Sequence, residues 1–161
     1  MISEKSIVID VPAATIWSYL SDLSHWRNLT AYKGILSVSY SDFSFVLPPG
    51  AVPGPGMVLS ERDGDGAVEP WWIEKLEAPS RIKLVSREKS KAWGDPESQF
   101  EIEIELIPKT MVTTEVRLRC SFELKGLLIG WLIALGTAWR GQKLFDKQTE
   151  SFLARLKDAV V

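Results

Sequence analysis

The sequence is nearly without cysteine and histidine: Cys120 and His25 stand alone among 161 residues. A single thiol excludes an internal disulfide and fits a reducing compartment. A single imidazole removes the His-rich ligand sets of common zinc and iron sites, so no metal is expected. An excess of one charge is missing too. Nineteen basic and 21 acidic residues give a net charge of −2, without the basic excess or stripe of a nucleic-acid binder. The nearest approach, Arg81, Lys83, Arg87, Lys89 and Lys91, is interrupted by Glu88 and reads as a solvated strand edge and loop. The opening residues, Met1-Ile-Ser-Glu-Lys-Ser6, lack a basic region followed by an apolar run, so no signal peptide is expected and the cytoplasm is the expected compartment. No apolar run reaches the ~20 residues that span a bilayer. Repeats, low-complexity tracts and linkers are absent, which gives one domain over residues 1–161 as the expectation. No cofactor is expected. Gly54-Pro-Gly56 has the glycines of a phosphate loop, but its prolines remove amide donors and no Lys-Ser/Thr follows.

Apolar residues are plentiful, 45% of the chain, and seven tryptophans fall at 17, 26, 71, 72, 93, 131 and 139. Their large amphipathic rings suit a core, a cavity wall or an interface. Ile7, Ile9 and Val11 alternate with polar or outward positions as a first strand. Pro12 opens a helix over 13–21 with Ile16, Trp17 and Leu20 on one face. A second short helix follows over 22–28, with Ser24 as N-cap and Trp26 as an inward anchor. Residues 34–47 are β-rich, and the four prolines of segment 48–56 make it a stiff loop. Strands are then expected over 57–63, 68–77 and 81–88, with turns at 63–66 and 78–80.

The next hairpin alternates most clearly. Phe100, Ile102, Ile104 and Leu106 interleave with Glu101, Glu103 and Glu105. Beyond a turn at 108–110, Val112, Val116, Leu118, Cys120, Phe122 and Leu124 interleave with charges. Pairing across that turn sets Phe100 near Leu118, Ile102 near Val116 and Glu101 beside Arg117. One face is apolar and the other charged, so one side of the sheet is covered. From 125 to 161 the period becomes helical. Leu124, Leu128, Trp131, Leu135, Ala138, Phe145, Phe152, Leu156 and Ala159 form one stripe, long enough at about 1.5 Å per residue to cross a sheet.

Strand, two short helices, six strands and a long helix is a suggestive order, and local sequences match it. Ile7-x-Ile9-x-Val11-Pro-Ala13-x-x-Ile16-Trp17-x-x-Leu20-x-Asp22-x-x-x-Trp26 resembles the opening of the START-like (SRPBCC) superfamily, particularly its polyketide cyclase/dehydrase-type members. Gly54-Pro-Gly56, the stretch Trp72 to Leu84 through Pro79-Ser-Arg81, and the closing Phe152-Leu-Ala-Arg-Leu-Lys157 are similar as well. The resemblance implies an α+β helix-grip fold: about seven antiparallel strands curved around the C-terminal helix. It also implies a cavity between sheet and helix for lipid-, sterol- or polyketide-like molecules. A minority of the superfamily are enzymes.

The expected function is binding or transport of a small hydrophobic ligand. Tyr40, Trp72, Phe100, Ile102, Leu118 and Phe122 would line the sheet side, and Trp131, Leu135 and Trp139 the helix side. Two alternatives stand beside it. In a polyketide cyclase/dehydratase-type enzyme, Glu74 and Arg62 are the acid–cation pair to nominate. Period two sends Glu74 into the cavity if Trp72 and Leu76 point there, but into solvent if Trp71 and Ile73 point inward or a bulge intervenes. The other alternative uses 126–139, which is apolar on too many sides for a simple lid, as a homodimer or peripheral membrane contact. Its glycines also fit a bend or a gate for ligand access. His25 has no evident carboxylate or nucleophile partner and reads as a satisfied helix residue. Cys120 points inward among aliphatics and reads as a small hydrophobe.

Overall fold

A computed structural model describes residues 1–29, 32–33, 39–40, 44–47, 50–62, 68–89, 97–125 and 129–161, with backbone only for 27, 32–33, 39–40, 44, 60–62, 68–69, 88–89, 97–98, 124–125 and 129–140. Strand β1 (Ile2–Ile9) leads into α1 (Ala13–Ser21), a 3-10 turn (Leu23–His25) and α2 (Trp26–Leu29). Then come β2 (Tyr32–Lys33), β3 (Ser39–Tyr40), β4 (Ser44–Val46), β5 (Val58–Arg62) and β6 (Val68–Glu77). Strands β7 (Arg81–Lys89), β8 (Glu97–Pro108) and β9 (Thr114–Lys125) precede α3 (Ile129–Val160). Seven strands form one antiparallel sheet in the order β1-β9-β8-β7-β6-β5-β4, while β2 and β3 pair separately. Closing the sheet through β1 and β9 carries the first strand back beside the last, and the sheet curves around α3 as a helix grip.

Local chemistry explains the short helices. Pro12 cannot continue the β1 ladder, and its carbonyl accepts from the Thr15 amide at 3.0 Å, starting α1. The cap of the next turn is Asp22 rather than Ser24: its Oδ1 accepts from the Ser24 amide at 3.1 Å and the Ser24 hydroxyl at 2.7 Å. A carboxylate two residues ahead satisfies the orphan amide that a serine inside the turn cannot reach. Trp26 is the inward anchor, fully buried, its indole Nε1 donating to the Leu20 carbonyl at 2.8 Å.

The β8–β9 hairpin has the expected faces but a different register. Phe100 lies opposite Phe122, Ile102 opposite Cys120, and Arg117 opposite Glu105. The reversal occurs over Lys109–Thr113, where the amides of Lys109 and Thr110 donate to the Thr113 carbonyl at 2.9 and 3.1 Å. Strand β8 runs on through Pro108, so the turn sits later than its proline suggested, and Val112 is in the loop, exposed. The partner of Phe100 moves by an even number of positions, from 118 to 122, which preserves every inward side chain.

The core lies between the sheet and α3. On the described part of α3, Gly141, Phe145, Thr149, Phe152, Leu153 and Leu156 are buried, whereas Ala159 is exposed and Val160 packs on the core in its place. The helix rests on β1, β9 and α2. It is pinned at its border with β1 by Lys5 Nζ to Glu150 at 2.8 Å and by Gln142 Nε2 to the Ile2 carbonyl at 2.7 Å.

Candidate functional site

Register alone orders the inner face. One row runs Leu59, Trp71, Ser86, Phe100, Phe122 across β5 to β9; the next runs Ile73, Leu84, Ile102, Cys120. A third holds Leu76, Ile82, Ile104 and Leu118. Leu118 is fully buried, Ile102 nearly so, and the third row is closed core except at Leu76, which is partly buried. In the first row burial falls off along the sheet: Leu59 and Trp71 are buried, but Phe100 and Phe122 are only partly so. These two phenyl groups face the helix side and are not sealed by it.

A line of edge-to-face rings backs that row. Phe152 of α3 meets Trp26 at 5.7 Å between centroids, Trp26 meets Phe45 at 5.8 Å, and Phe45 meets Trp71 at 5.7 Å. Trp71 then meets Phe100 at 5.6 Å, and Phe100 returns to α3 at Phe145, 5.9 Å away. The line starts and ends on one helix, two turns apart, and ties α2, β4, β6 and β8 to it. Contacts at these spacings favour the T-shaped geometry of ring quadrupoles. They make a rigid apolar wall.

Strand β6 decides which of the neighbouring tryptophans and carboxylates belongs to this wall. Trp71 and Ile73 are buried in it, and Trp72 lies on the opposite face, opposite Val85. A β-bulge between Ile73 and Lys75 then lets Glu74 out of the ladder. Glu74 is exposed on the outer face, and its Oε2 lies 2.5 Å from Lys83 Nζ. That ammonium holds the Glu74 carboxyl below its ordinary value, and Glu74 in turn raises Lys83. Trp72 and Glu74 therefore do not line the inner wall. The partner of Glu74 is Lys83; the side chain of Arg62 lies outside the described residues, as do those of Tyr40, Trp131, Leu135 and Trp139.

The other titratable candidates are satisfied. His25 stacks on Tyr19 with centroids 4.2 Å apart, and its Nδ1 lies 2.9 Å from the Tyr19 carbonyl. Burial of Cys120 pushes its thiol up to about 12, against the lesser effect of Thr149. A thiol so protonated is a poor nucleophile at neutral pH. Among the described residues there is no cluster of His, Cys, Asp and Glu fit to hold a metal. No described helix is long and apolar enough to cross a membrane. Sequence reasoning placed Phe145 and Phe152 on the buried stripe of the last helix but did not join them, or Phe45, to the wall, because their juxtaposition depends on α2, β4 and α3 converging. Nothing short-range signals that.

No family model matches the chain, and no curated protein matches it in sequence. Solved structures do match in shape. A START superfamily protein from Mycobacterium smegmatis is 13% identical, with TM-score 0.58 over 99% of this chain and 96% of the other. The di-domain ARO/CYC BexL of the BE-7585A biosynthetic pathway is 17% identical, with TM-score 0.61; it covers 99% of this chain, which spans 46% of that protein. Norcoclaurine synthase from Thalictrum flavum, solved as a point mutant with a transition state analogue, is 11% identical, with TM-score 0.60 over 99% and 93% of the two chains. At these identities the likeness carries the fold alone: the chain has the START-like helix-grip fold.

Proposed function

We propose that this chain binds a small, largely apolar ligand between the inner face of its sheet and α3. The observation that carries the reading is the first row, in which Phe100 and Phe122 turn toward the helix yet stay partly exposed beside an otherwise closed aromatic wall. Covering such surface with a ligand contributes roughly 25 cal/mol per Å². The START superfamily protein, the ARO/CYC protein and norcoclaurine synthase share the fold, which supports a pocket at this place. The ligand fits the lipid, sterol or polyketide class, and binding or transport is favoured over catalysis. The carboxylate nominated for acid–base work, Glu74, is on the far side of the sheet and held ionised by Lys83.

Native mass spectrometry of protein purified under mild conditions tests the reading. A retained small molecule, lost when Phe100→Asp places a carboxylate in the row, is the expected result. Protein that carries nothing, and whose melting temperature is unmoved by fatty acids, sterols and planar polycycles, would refute it.

A further inference from the structure

The outer face of the sheet is largely charged across β8 and β9. There Glu103 stands opposite Arg119 and Glu105 opposite Arg117. Across β5, β6 and β7, however, Val58, Trp72 and Val85 stand opposite one another. Val58 is 48% exposed and Trp72 half-buried, while Val85 is only 2% exposed. Beside this row lies a depression of about 310 Å³, open to solvent and lined by Gly56, Trp72, Ile73, Glu74, Val85 and Arg87.

Three features shape it. Gly56 closes onto Ile73 through its amide, 2.8 Å from the Ile73 carbonyl, at a φ of 81° that side chains rarely adopt. A Cβ at Gly56 would meet nothing within 4 Å, so that rim is open because it has no side chain. The bulge after Ile73 swings Glu74 to one side of the indole, where Lys83 engages it at 2.5 Å and also lies 3.6 Å from Glu101. The cation on the other side of the indole is Arg87, one alternation beyond Val85 on β7. Arg87 is exposed and, among the described residues, has no ion-pair or hydrogen-bond partner. Glu74 in the wall is thus neutralised chiefly by Lys83, and Arg87 acts on it only through longer-range Coulombic attraction, so that among the described residues its hydrogen-bond donors are unspent.

We propose that this depression is a second site, separate from the inner pocket, for a small planar aromatic carboxylate. Its ring lies against Trp72, and its carboxylate is held by Arg87. Charge complementarity selects that class. A planar guanidinium matches a carboxylate with two parallel N–H donors, whereas Glu74 disfavours a dianion. An indole offers a face of fixed orientation at little entropic cost. The depression of about 310 Å³ has room for one or two fused rings.

Titration with naphthoate, followed by heteronuclear NMR of backbone amides and indole N–H groups, tests the site. The expected result is saturable movement of the Trp72 indole signal, assigned by its disappearance in Trp72→Phe, together with amides of 71–74 and 83–87. Arg87→Gln, at an exposed position where folding is not at risk, weakens binding roughly tenfold or more, and so does replacing the probe by the uncharged naphthyl alcohol. Movement confined to inner-face residues, or a titration of Arg87→Gln equal to wild type, would overturn the proposal. Saturable movement of the Trp72 indole in protein that retains no inner-pocket ligand supports this site alone, which keeps failure here distinct from failure of the inner-pocket reading.

Discussion

Cys120 and Glu74 have opposite couplings to pH, and both can be read from their surroundings. The native Cys120 thiol ionises only near 12, whereas its ordinary value is 9.0. Between those values the unfolded chain loses a proton that the native chain keeps, so stability falls as pH rises above 9; Cys120→Ala is expected to flatten that fall in urea midpoints. For Glu74 the native carboxyl is lowered below 4.5, so its contribution is present above that value and is lost as pH falls through the lowered one. Lys83 is raised above 10.5, so its share is present below that value and is lost at more alkaline pH. The pair is partly exposed and therefore contributes less than about 1 kcal/mol. Glu74→Gln should remove its acid limb from the stability profile and leave inner-pocket binding unchanged. Trp26 is a larger matter. Its fully buried indole donates a hydrogen bond and meets two rings, so Trp26→Ala should cost about 3–5 kcal/mol in chemical denaturation.

At the scale of elements, α3 and the β8–β9 hairpin show what pattern can convey. The helical period of 145–156 is enough to foretell its buried stripe, since an amphipathic helix has one way to hide it. Alternation likewise separates the faces of β8 and β9. It leaves register open, because slipping by two or four positions buries the same side chains, and the loop chemistry at 109–113 makes the choice. Strand β6 defeats pattern altogether. Trp71, Trp72, Ile73 and Leu76 are apolar on both sides of the alternation, and the bulge breaks the count before Glu74. Gly141 illustrates an element-scale contact that has a sign. A Cβ there would lie 3.3 Å from the Met1 sulfur, the far end of a flexible side chain. Helix propensity favours alanine by about 0.8–1.0 kcal/mol, more than a small shift of that sulfur takes back. Gly141→Ala is therefore expected to raise the melting temperature, by calorimetry, and a lowered one would show that Met1 cannot move.

At the scale of the whole molecule, the sheet presents two surfaces with different chemistry, an inner aromatic wall and an outer charged face with one indole-lined depression. A ligand at 100-fold its dissociation constant adds about 2.7 kcal/mol to stability. Ligands for the two sites are expected to raise stability additively, because β6 and β7 separate them, and a double titration by thermal shift measures whether they do. Sequence by itself determined the two faces of β8 and β9, the anchoring Trp26 and the inward setting of Cys120, since each follows from period or a neighbouring residue, while the fold class came from the resemblance of its local sequences to the START-like superfamily. Tertiary structure alone decided which tryptophan of the 71–72 pair faces the helix, where Glu74 points and which rings complete the inner wall. Those outcomes depend on a bulge, on register and on segments distant in the chain meeting in space, and no local pattern encodes such meetings.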